Sequence, residues 1–277
     1  MKYTQIMGME VTLQIGCPNN CTYCPQSTLL SKYQGVRSFT LDNFKRCIES
    51  VPITRNLTFM GAVEPFVNPQ AADIMIYAHE RGHAISLSTT LSHITHEDID
   101  KIKHIPFTDT VVHVPADDGK MKLVVDEAYC ERFTHAIAAW RNHPDFVISV
   151  FGNAHPMILP IWRASGIQIV NFGLHDRAGL IPWLTHNKKQ GKLPLCGKQF
   201  CGHLFPNGDV ARCCNDYTLS CIWGNLYEKT YAEIYQTKKF KDYIKSLEDP
   251  NSDVPCRYCN DGYKCLNPDD KNKTYDL

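Results

Sequence analysis

The sequence predicts an α/β fold: a partial (β/α)6 TIM-like barrel followed by a small cysteine-rich C-terminal domain. Three observations predict it. Strand and helix patterns alternate six times between residues 9 and 172, which implies parallel strands joined by helical crossovers. That stretch of roughly 165 residues is too short for a complete eight-unit barrel, which takes about 250, so a six-unit partial barrel fits better. From about residue 191 the pattern changes to frequent cysteines, a Pro-Asn-Gly-Asp turn at 206–209, one short strand and one amphipathic helix over 230–247. The boundary is therefore expected near residue 190, dividing the chain into 1–190 and 191–277. A flat doubly wound sheet shares the same periodicity and stays open as the alternative architecture.

Residues 9–15 (MEVTLQI) alternate as a first strand that runs into a cysteine cluster. A helix follows over 40–50, with Thr40 its N-cap. Residues 56–60 form a short β-rich run, and the helix over 69–81 stops at Gly82. The third strand covers 84–89. Thr95-His96-Glu97-Asp98 has capping-box character and leads a helix to about 105. Residues 108–114 read as a strand, 126–141 as a helix, 146–151 as a strand, 156–164 as a helix and 167–172 as the sixth strand.

The 277 residues carry 29 basic and 29 acidic side chains, with 43% hydrophobic and 21% charged content. These are the proportions of a globular chain, and neutrality argues against a broad nucleic-acid or anionic-membrane surface. The longest apolar stretches, such as 158–162, fall far short of the ~20 residues of a membrane span. The N-terminus lacks the apolar segment of a secretory signal, so a cytoplasmic location is expected. Thirteen cysteines remain to be explained. Three crowd into residues 17–24, two lie between 25 and 195, and eight fall between 196 and 265. In a long chain without an export signal, metal or redox chemistry is the expected use.

Cys17-Pro-Asn-Asn-Cys21-Thr-Tyr-Cys24 has C-x3-C-x2-C spacing directly after the first strand. Soft thiolates this close favour an iron–sulfur cluster or zinc. A closed zinc site wants four ligands, and no fourth cysteine or histidine follows within the next twenty residues. Three ligands on a cubane leave one iron open. The spacing, the aromatic Tyr23 and the position after strand one resemble the radical S-adenosylmethionine (radical SAM) enzymes. The resemblance implies a [4Fe–4S] cluster that chelates SAM and cleaves it reductively to a 5′-deoxyadenosyl radical. Gly61-Ala62-Val63-Glu64-Pro65 resembles the family's Gly-Gly-Glu-Pro segment, with Ala62-Val63 where the second glycine usually stands. It implies that Gly61 and Glu64 face the methionyl ammonium. Ser88-Thr89-Thr90 sits where relatives hold the SAM ribose, which makes Thr89 and Thr90 cofactor candidates. His113 and Asn153, after the fourth and fifth strands, are further candidates. His175-Asp176-Arg177-Ala178-Gly179 resembles an Asn-Arg-Gly-Gly segment of relatives that oxidise aminocyclitols, so Arg177 is the expected substrate contact. His79, His83, His93, His96, His104 and His135 read as surface or core histidines.

The order Cys196, Gly208, Cys213, Gly224-Asn225-Leu226, Glu233-Ile234-Tyr235, Lys239-Phe240 and Cys256-Arg257-Tyr258-Cys259 resembles the SPASM or twitch extension of radical SAM enzymes. It implies an auxiliary [4Fe–4S] cluster held by Cys196, Cys213, Cys256 and Cys259; a four-cysteine zinc ribbon is the alternative on spacing alone. The fuller two-cluster pattern runs out, because Cys265 matches its third position but Asp269 stands in its fourth. Cys201, Cys214, Cys221 and Cys265 are left unassigned, with Cys214 the alternative to Cys213 and Cys265 an extra ligand.

The expected activity is hydrogen abstraction from a small sugar- or cyclitol-like substrate near Arg177, an oxidation assisted by the auxiliary cluster. A flavodoxin or ferredoxin is the expected reductant. A peptide-modifying maturase and a non-enzymatic iron–sulfur or zinc protein are the alternatives. Only about eight residues precede the first strand, which leaves no room there for a leader-binding domain and favours the small molecule.

Overall fold

Six parallel strands stand side by side in sequence order. They are β1 (Met9–Val11), β2 (Leu57–Phe59), β3 (Ile85–Thr89), β4 (Asp109–His113), β5 (Phe146–Val150) and β6 (Ile169–Asn171). The computed structural model describes residues 8–143, 145–171, 173–184, 188–193, 196 and 201–260. Between the strands run α1 (Gln26–Lys32), α2 (Leu41–Ile48), α3 (Ala71–Glu80), α4 (His96–Ile102), α5 (Glu127–Trp140) and α6 (Leu159–Ser165). The sheet does not close, as a partial barrel requires.

Local chemistry sets most of the helix starts. Thr40 caps α2 by accepting from Asn43 N, and Thr95 and Asp98 form the reciprocal capping box of α4. Asp126 does the same for α5 through Tyr129 N. After α3, Gly82 takes φ +90°, the left-handed conformation that stops the helix. On α5, Tyr129, Phe133, Ala136, Ile137 and Trp140 form a buried stripe at helical spacing.

The period of two along each strand then divides core from cavity. On β2, Leu57 and Phe59 enter the core while Thr58 faces the cavity, and on β4 Val112 is core while Asp109, Val111 and His113 face inward. The helices therefore bury one face of the sheet, and the other, mixing polar side chains with some apolar ones such as Val111, faces the cavity.

The cysteine-rich region extends this sheet rather than standing apart from it. β7 (His203–Leu204) pairs parallel with β1, placing Glu10 opposite His203 and Val11 opposite Leu204. β8 (Asp209–Ala211) and β9 (Ile222–Asn225) follow antiparallel, giving the order β6-β5-β4-β3-β2-β1-β7-β8-β9. The helix expected over 230–247 is two, α7 (Tyr231–Ile234) and α8 (Lys238–Glu248). Thr237 separates them: its hydroxyl donates to the Ile234 carbonyl and accepts from Phe240 N, starting a second helix. No described helix is long and apolar enough to cross a membrane.

Candidate active site

Residues at the carboxyl ends of the parallel strands converge on one cavity of about 360 Å3. Cys17, Cys21 and Cys24 line it from the loop after β1, Gly61 and Glu64 from the loop after β2, and Thr89 and Thr90 from the end of β3. His113 ends β4, and Arg177 follows β6. All these candidates therefore share one chamber, together with Ser88 and His175. Asn153 does not: it is exposed, and its carbonyl accepts from Asp117 N.

The cysteine loop is pinned on several sides. Gly16 and Asn20 take left-handed backbone (φ +99° and +42°), which curls the chain around the thiols. Asn19 donates through its side chain to Thr90 Oγ1 at 3.0 Å, and Thr22 N donates to Lys120 O at 2.8 Å. Gln26 ties the loop to its neighbour, since its amide donates to the Ala62 carbonyl and lies 3.7 Å from Cys24 Sγ. Burial pushes the Cys21 thiol up to about 12; the Tyr23 hydroxyl opposes this, and the charges of Cys24 and Cys17 add to it. Burial likewise raises Cys17.

This donor set fits an iron–sulfur cluster. The three sulfurs feel one another's charge and open on the same cavity. Among the described residues no three His, Cys, Asp or Glu side chains are gathered tightly enough for a single metal ion, whereas a cubane spreads its cysteine ligands over three irons. Burial favours the protonated form of Cys17 and Cys21, and bound iron would supply the positive charge that favours their thiolates.

Glu64 is a buried node. Its Oε1 accepts from Thr89 Oγ1 at 2.7 Å and Phe66 N at 3.5 Å, and its Oε2 from Thr90 N and Thr90 Oγ1, both at 2.6 Å. Four donors fill the capacity of a carboxylate, so Glu64 locks the ends of β2 and β3 together at the cavity wall. Gly61 has φ +118°, and a Cβ there overlaps Thr12 Oγ1 and stands 2.9 Å from His203 Cε1 and Nε2. Thr12 Oγ1 is already engaged, accepting from Ala62 N at 3.2 Å and lying 2.5 Å from His203 Nε2. Gly61→Ala is therefore expected to destabilise the protein by about 1–3 kcal/mol, from backbone strain and overpacking together. Thermal unfolding of the metal-free variant checks this, and an unchanged Tm contradicts it.

Across the cavity, His113 Nδ1 lies 2.6 Å from Ser149 Oγ and its ring packs on Phe151, centroids 4.3 Å apart. Burial, with the charge of Arg177 adding, lowers its pKa to about 4, so the imidazole is neutral near pH 7. Its Nε2 has no hydrogen-bond partner among the described residues. Arg177, Ala178 and Gly179 are successive left-handed residues (φ +50°, +56° and +83°). The Arg177 guanidinium donates through Nη1 to Asn215 Oδ1 at 3.0 Å and lies 5.8 Å over the Tyr217 ring. Asp176 turns elsewhere, accepting from Ala178 N and Asn260 N.

Cys214 and Tyr217 line the same cavity, so the cysteine-rich region contributes to its wall. The Tyr217 hydroxyl lies 3.5 Å from Cys24 Sγ. Nothing in the spacing marks Asn215 or Tyr217 except their place just after the 213–214 cysteine pair, and Gln26, Thr12 and His203 carry no motif at all. Pairing of β7 with β1 sets His203 beside Thr12.

The second group of thiols stands apart from the cavity. Cys196, Cys213, Cys256 and Cys259 are all buried, and none lines the chamber. Burial pushes Cys213 up to about 12, opposed by Arg212, with the charge of Cys256 raising it further. Cys259 Sγ accepts from the Asn215 amide at 3.8 Å, and Cys256 Sγ lies 3.3 Å from the Tyr243 hydroxyl. The buried guanidinium of Arg212 donates to Cys256 Sγ at 2.8 Å, yet its Nε and Nη2 have no hydrogen-bond partner among the described residues. A buried cation with unspent donors beside the Cys213 and Cys256 thiols fits an anionic cluster. Cys221 feels the charge of Cys256, while Cys201 lies against Tyr231 and Tyr235. Cys265 and Asp269 lie outside the described residues.

A family model described as the radical SAM superfamily matches residues 11–155, and one described as an iron–sulfur cluster-binding domain, SPASM, matches 196–260. The fold is similar to that of BtrN in complex with AdoMet and 2-DOIA, at 16% identity and a TM-score of 0.60, covering 92% of this chain and 93% of that one. It is also similar to Streptococcus suis SuiB bound to the precursor peptide SuiA (11% identity, TM-score 0.59, 93% and 71% covered). A third similar structure is anSMEcpe with bound AdoMet (13% identity, TM-score 0.55, 88% and 81% covered). At such identities the likeness is one of fold. No curated protein sequence matches the chain.

Proposed function

The chain belongs to the radical SAM superfamily, with an iron–sulfur cluster-binding SPASM domain after its core, and from that premise we propose that it oxidises a small, polar, sugar- or cyclitol-like molecule. Its cofactors are S-adenosylmethionine and a [4Fe–4S] cluster, with auxiliary iron–sulfur chemistry in the SPASM region. When bound, these supply reductive cleavage of the SAM sulfonium and a radical that abstracts hydrogen.

In this reading the protein's own residues hold and orient. Cys17, Cys21 and Cys24 ligate the first cluster. Gly61 lets the backbone approach the methionyl end of SAM, and the Glu64 side chain at that wall fixes Thr89 and Thr90 in place. Arg177 and the neutral His113, whose Nε2 is unspent among the described residues, orient the substrate opposite them. Cys196, Cys213, Cys256 and Cys259 ligate one auxiliary cluster, and the SPASM domain begins near residue 191. Radical SAM enzymes need a reductant, and a flavodoxin or ferredoxin is proposed here.

The observation that carries the substrate class is the cavity. Besides the thiols and Glu64 it carries convergent polar side chains, among them His113, Ser149, His175 and Arg177, which suit the hydroxyl and amine groups of a small polar molecule. Both a small-molecule complex and a peptide complex stand among the similar structures, so the choice rests on this chamber. The test is deuterium transfer. Anaerobic protein with SAM, reductant and a panel of perdeuterated sugars and aminocyclitols is expected to yield deuterated 5′-deoxyadenosine with at least one of them. Transfer only from deuterated peptides overturns the proposal.

The cluster count is a separate expectation. Reconstituted protein should hold about eight irons and eight sulfides per chain, two cubanes. About twelve irons, with matching Mössbauer signals, contradicts the single auxiliary site and brings the surplus cysteines into a third cluster.

A further inference from the structure

Arg212 follows β8 directly, and its backbone N donates to the Cys221 carbonyl, which sets it facing the C-terminal thiols. Its side chain is among the largest fully buried ones in the protein, at 1% exposure. One nitrogen, Nη1, is spent on Cys256 Sγ at 2.8 Å; Nε and Nη2 have no hydrogen-bond partner among the described residues. The nearest carboxylate is a poor counter-ion. Asp216 Oδ2 stands 3.8 Å from Nε, and the Asp216 oxygens already accept from Thr218 Oγ1, Ser220 N, Ser220 Oγ and Cys221 N.

A guanidinium in this position is costly. Removing a cation from water carries a penalty of several kcal/mol unless opposite charge and hydrogen-bond acceptors meet it. The described neighbours meet it only in part. The missing partner must be anionic, must offer acceptors to two further N–H groups, and must lie on the Cys213–Cys256 side. A [4Fe–4S]2+ core with four thiolates carries a net charge of about −2 and presents sulfur acceptors on every face.

We propose that Arg212 is the charge-compensating positioning residue of the auxiliary iron–sulfur site and holds the reduction potential of that site up. This rests on the reading of the C-terminal cysteines as cluster ligands. Reduction adds one electron to the cluster, with no bond made or broken, and deepens its net negative charge. A fixed cation hydrogen-bonded to a ligand sulfur stabilises the more negative state more than the less negative one, so the potential rises. The known partners of the N-terminal thiol Cys24 are the uncharged Gln26 amide and Tyr217 hydroxyl.

The test uses the full chain with Cys17, Cys21 and Cys24 replaced by Ala, so that only the auxiliary site contributes. In this background Arg212, Arg212→Lys and Arg212→Met are reconstituted, titrated with dithionite as the electron donor, and followed by EPR. Arg212→Met, which keeps volume and removes charge, is expected to retain iron and shift the midpoint clearly to lower potential. Arg212→Lys is expected to fall between the two. Iron loss in the Met variant alone, with Lys retaining it, also supports the proposal, because the site then assembles only around a cation. An unchanged midpoint in an iron-bearing Met variant overturns the proposal and leaves the cluster reading standing. So does iron loss in both variants with folding intact, which makes the guanidinium a brace specific to its shape. If the Arg212 protein itself binds no iron in the triad background, the cluster reading fails and the proposal with it.

Discussion

Replacing Cys17, Cys21 and Cys24 together by Ala abolishes cleavage of SAM to 5′-deoxyadenosine while leaving the C-terminal iron bound. The expectation follows from where the thiols stand. All three line the cavity and none belongs to the main apolar core, with only Cys24 packing against the smaller cluster around Tyr217 and Leu29, so their removal takes away ligands at a small packing cost. The loop should keep its place through Asn19 to Thr90, Thr22 to Lys120 and Gln26 to Ala62, none of which uses a sulfur. Without three thiolates no cubane with an open iron can be held, and the loss should be complete rather than graded. Anaerobic reconstitution, iron analysis and chromatography of the nucleoside products check it together. About four irons should remain, held by the second group of cysteines. Undiminished 5′-deoxyadenosine from the triple variant removes Cys17, Cys21 and Cys24 from the site.

Arg177→Lys is expected to keep both clusters and uncoupled SAM cleavage while lowering substrate turnover by roughly two orders of magnitude, the scale of a misplaced reactant. The arginine is held by its shape. One N–H of the planar fork goes to Asn215 while the flat face covers Tyr217, and a lysine ammonium can reproduce one of these contacts but not both. The three left-handed residues from Arg177 to Gly179 bend the loop toward the cavity, and Gly179 packs where a Cβ would come within 3.0 Å of Tyr258. The measurement is kcat and KM for product, alongside total 5′-deoxyadenosine. A variant that makes product at nearly the wild-type rate means that the guanidinium only fastens the loop after β6 to the cysteine-rich region, and the residue leaves the site.

Legibility differed from element to element for physical reasons. Helix α5 was plain, with Asp126 as its cap and a buried face from Tyr129 to Trp140. Helix α1 carries little sequence signal, because it has no side-chain cap at Pro25 and buries only Gln26 and Leu29. The break between α7 and α8 was hidden by the opposite effect. The amphipathic pattern continues across it, and only the two bonds of the Thr237 hydroxyl show that one helix has ended and another begun.

What the sequence determined by itself is whatever depends on near neighbours along the chain. The succession of βα units, the caps and the Cys17–Cys24 spacing all lie within a few residues, where periodicity and hydrogen-bonding reach are set by backbone geometry. The tertiary structure alone decided what faces what. Cys213 and Cys214 are adjacent at the start of a turn, closed by Asp216 N donating to Cys213 O at 3.1 Å, and the C-C pair alone does not say which way each thiol faces. Which of them meets Cys256 and which enters the cavity depends on how β7 pairs with β1, a contact between residues about 190 apart. That pairing turns Cys213 toward Cys256 and Cys214 to the chamber, where Glu10 on β1 accepts from Cys214 N at 3.0 Å. The same pairing sets His203 under Gly61, and the adjoining turn brings Tyr217 beside Cys24 and buries Arg212 among the thiols. No local pattern carries such information, because it arises from strand order and from burial, which are properties of the whole sheet.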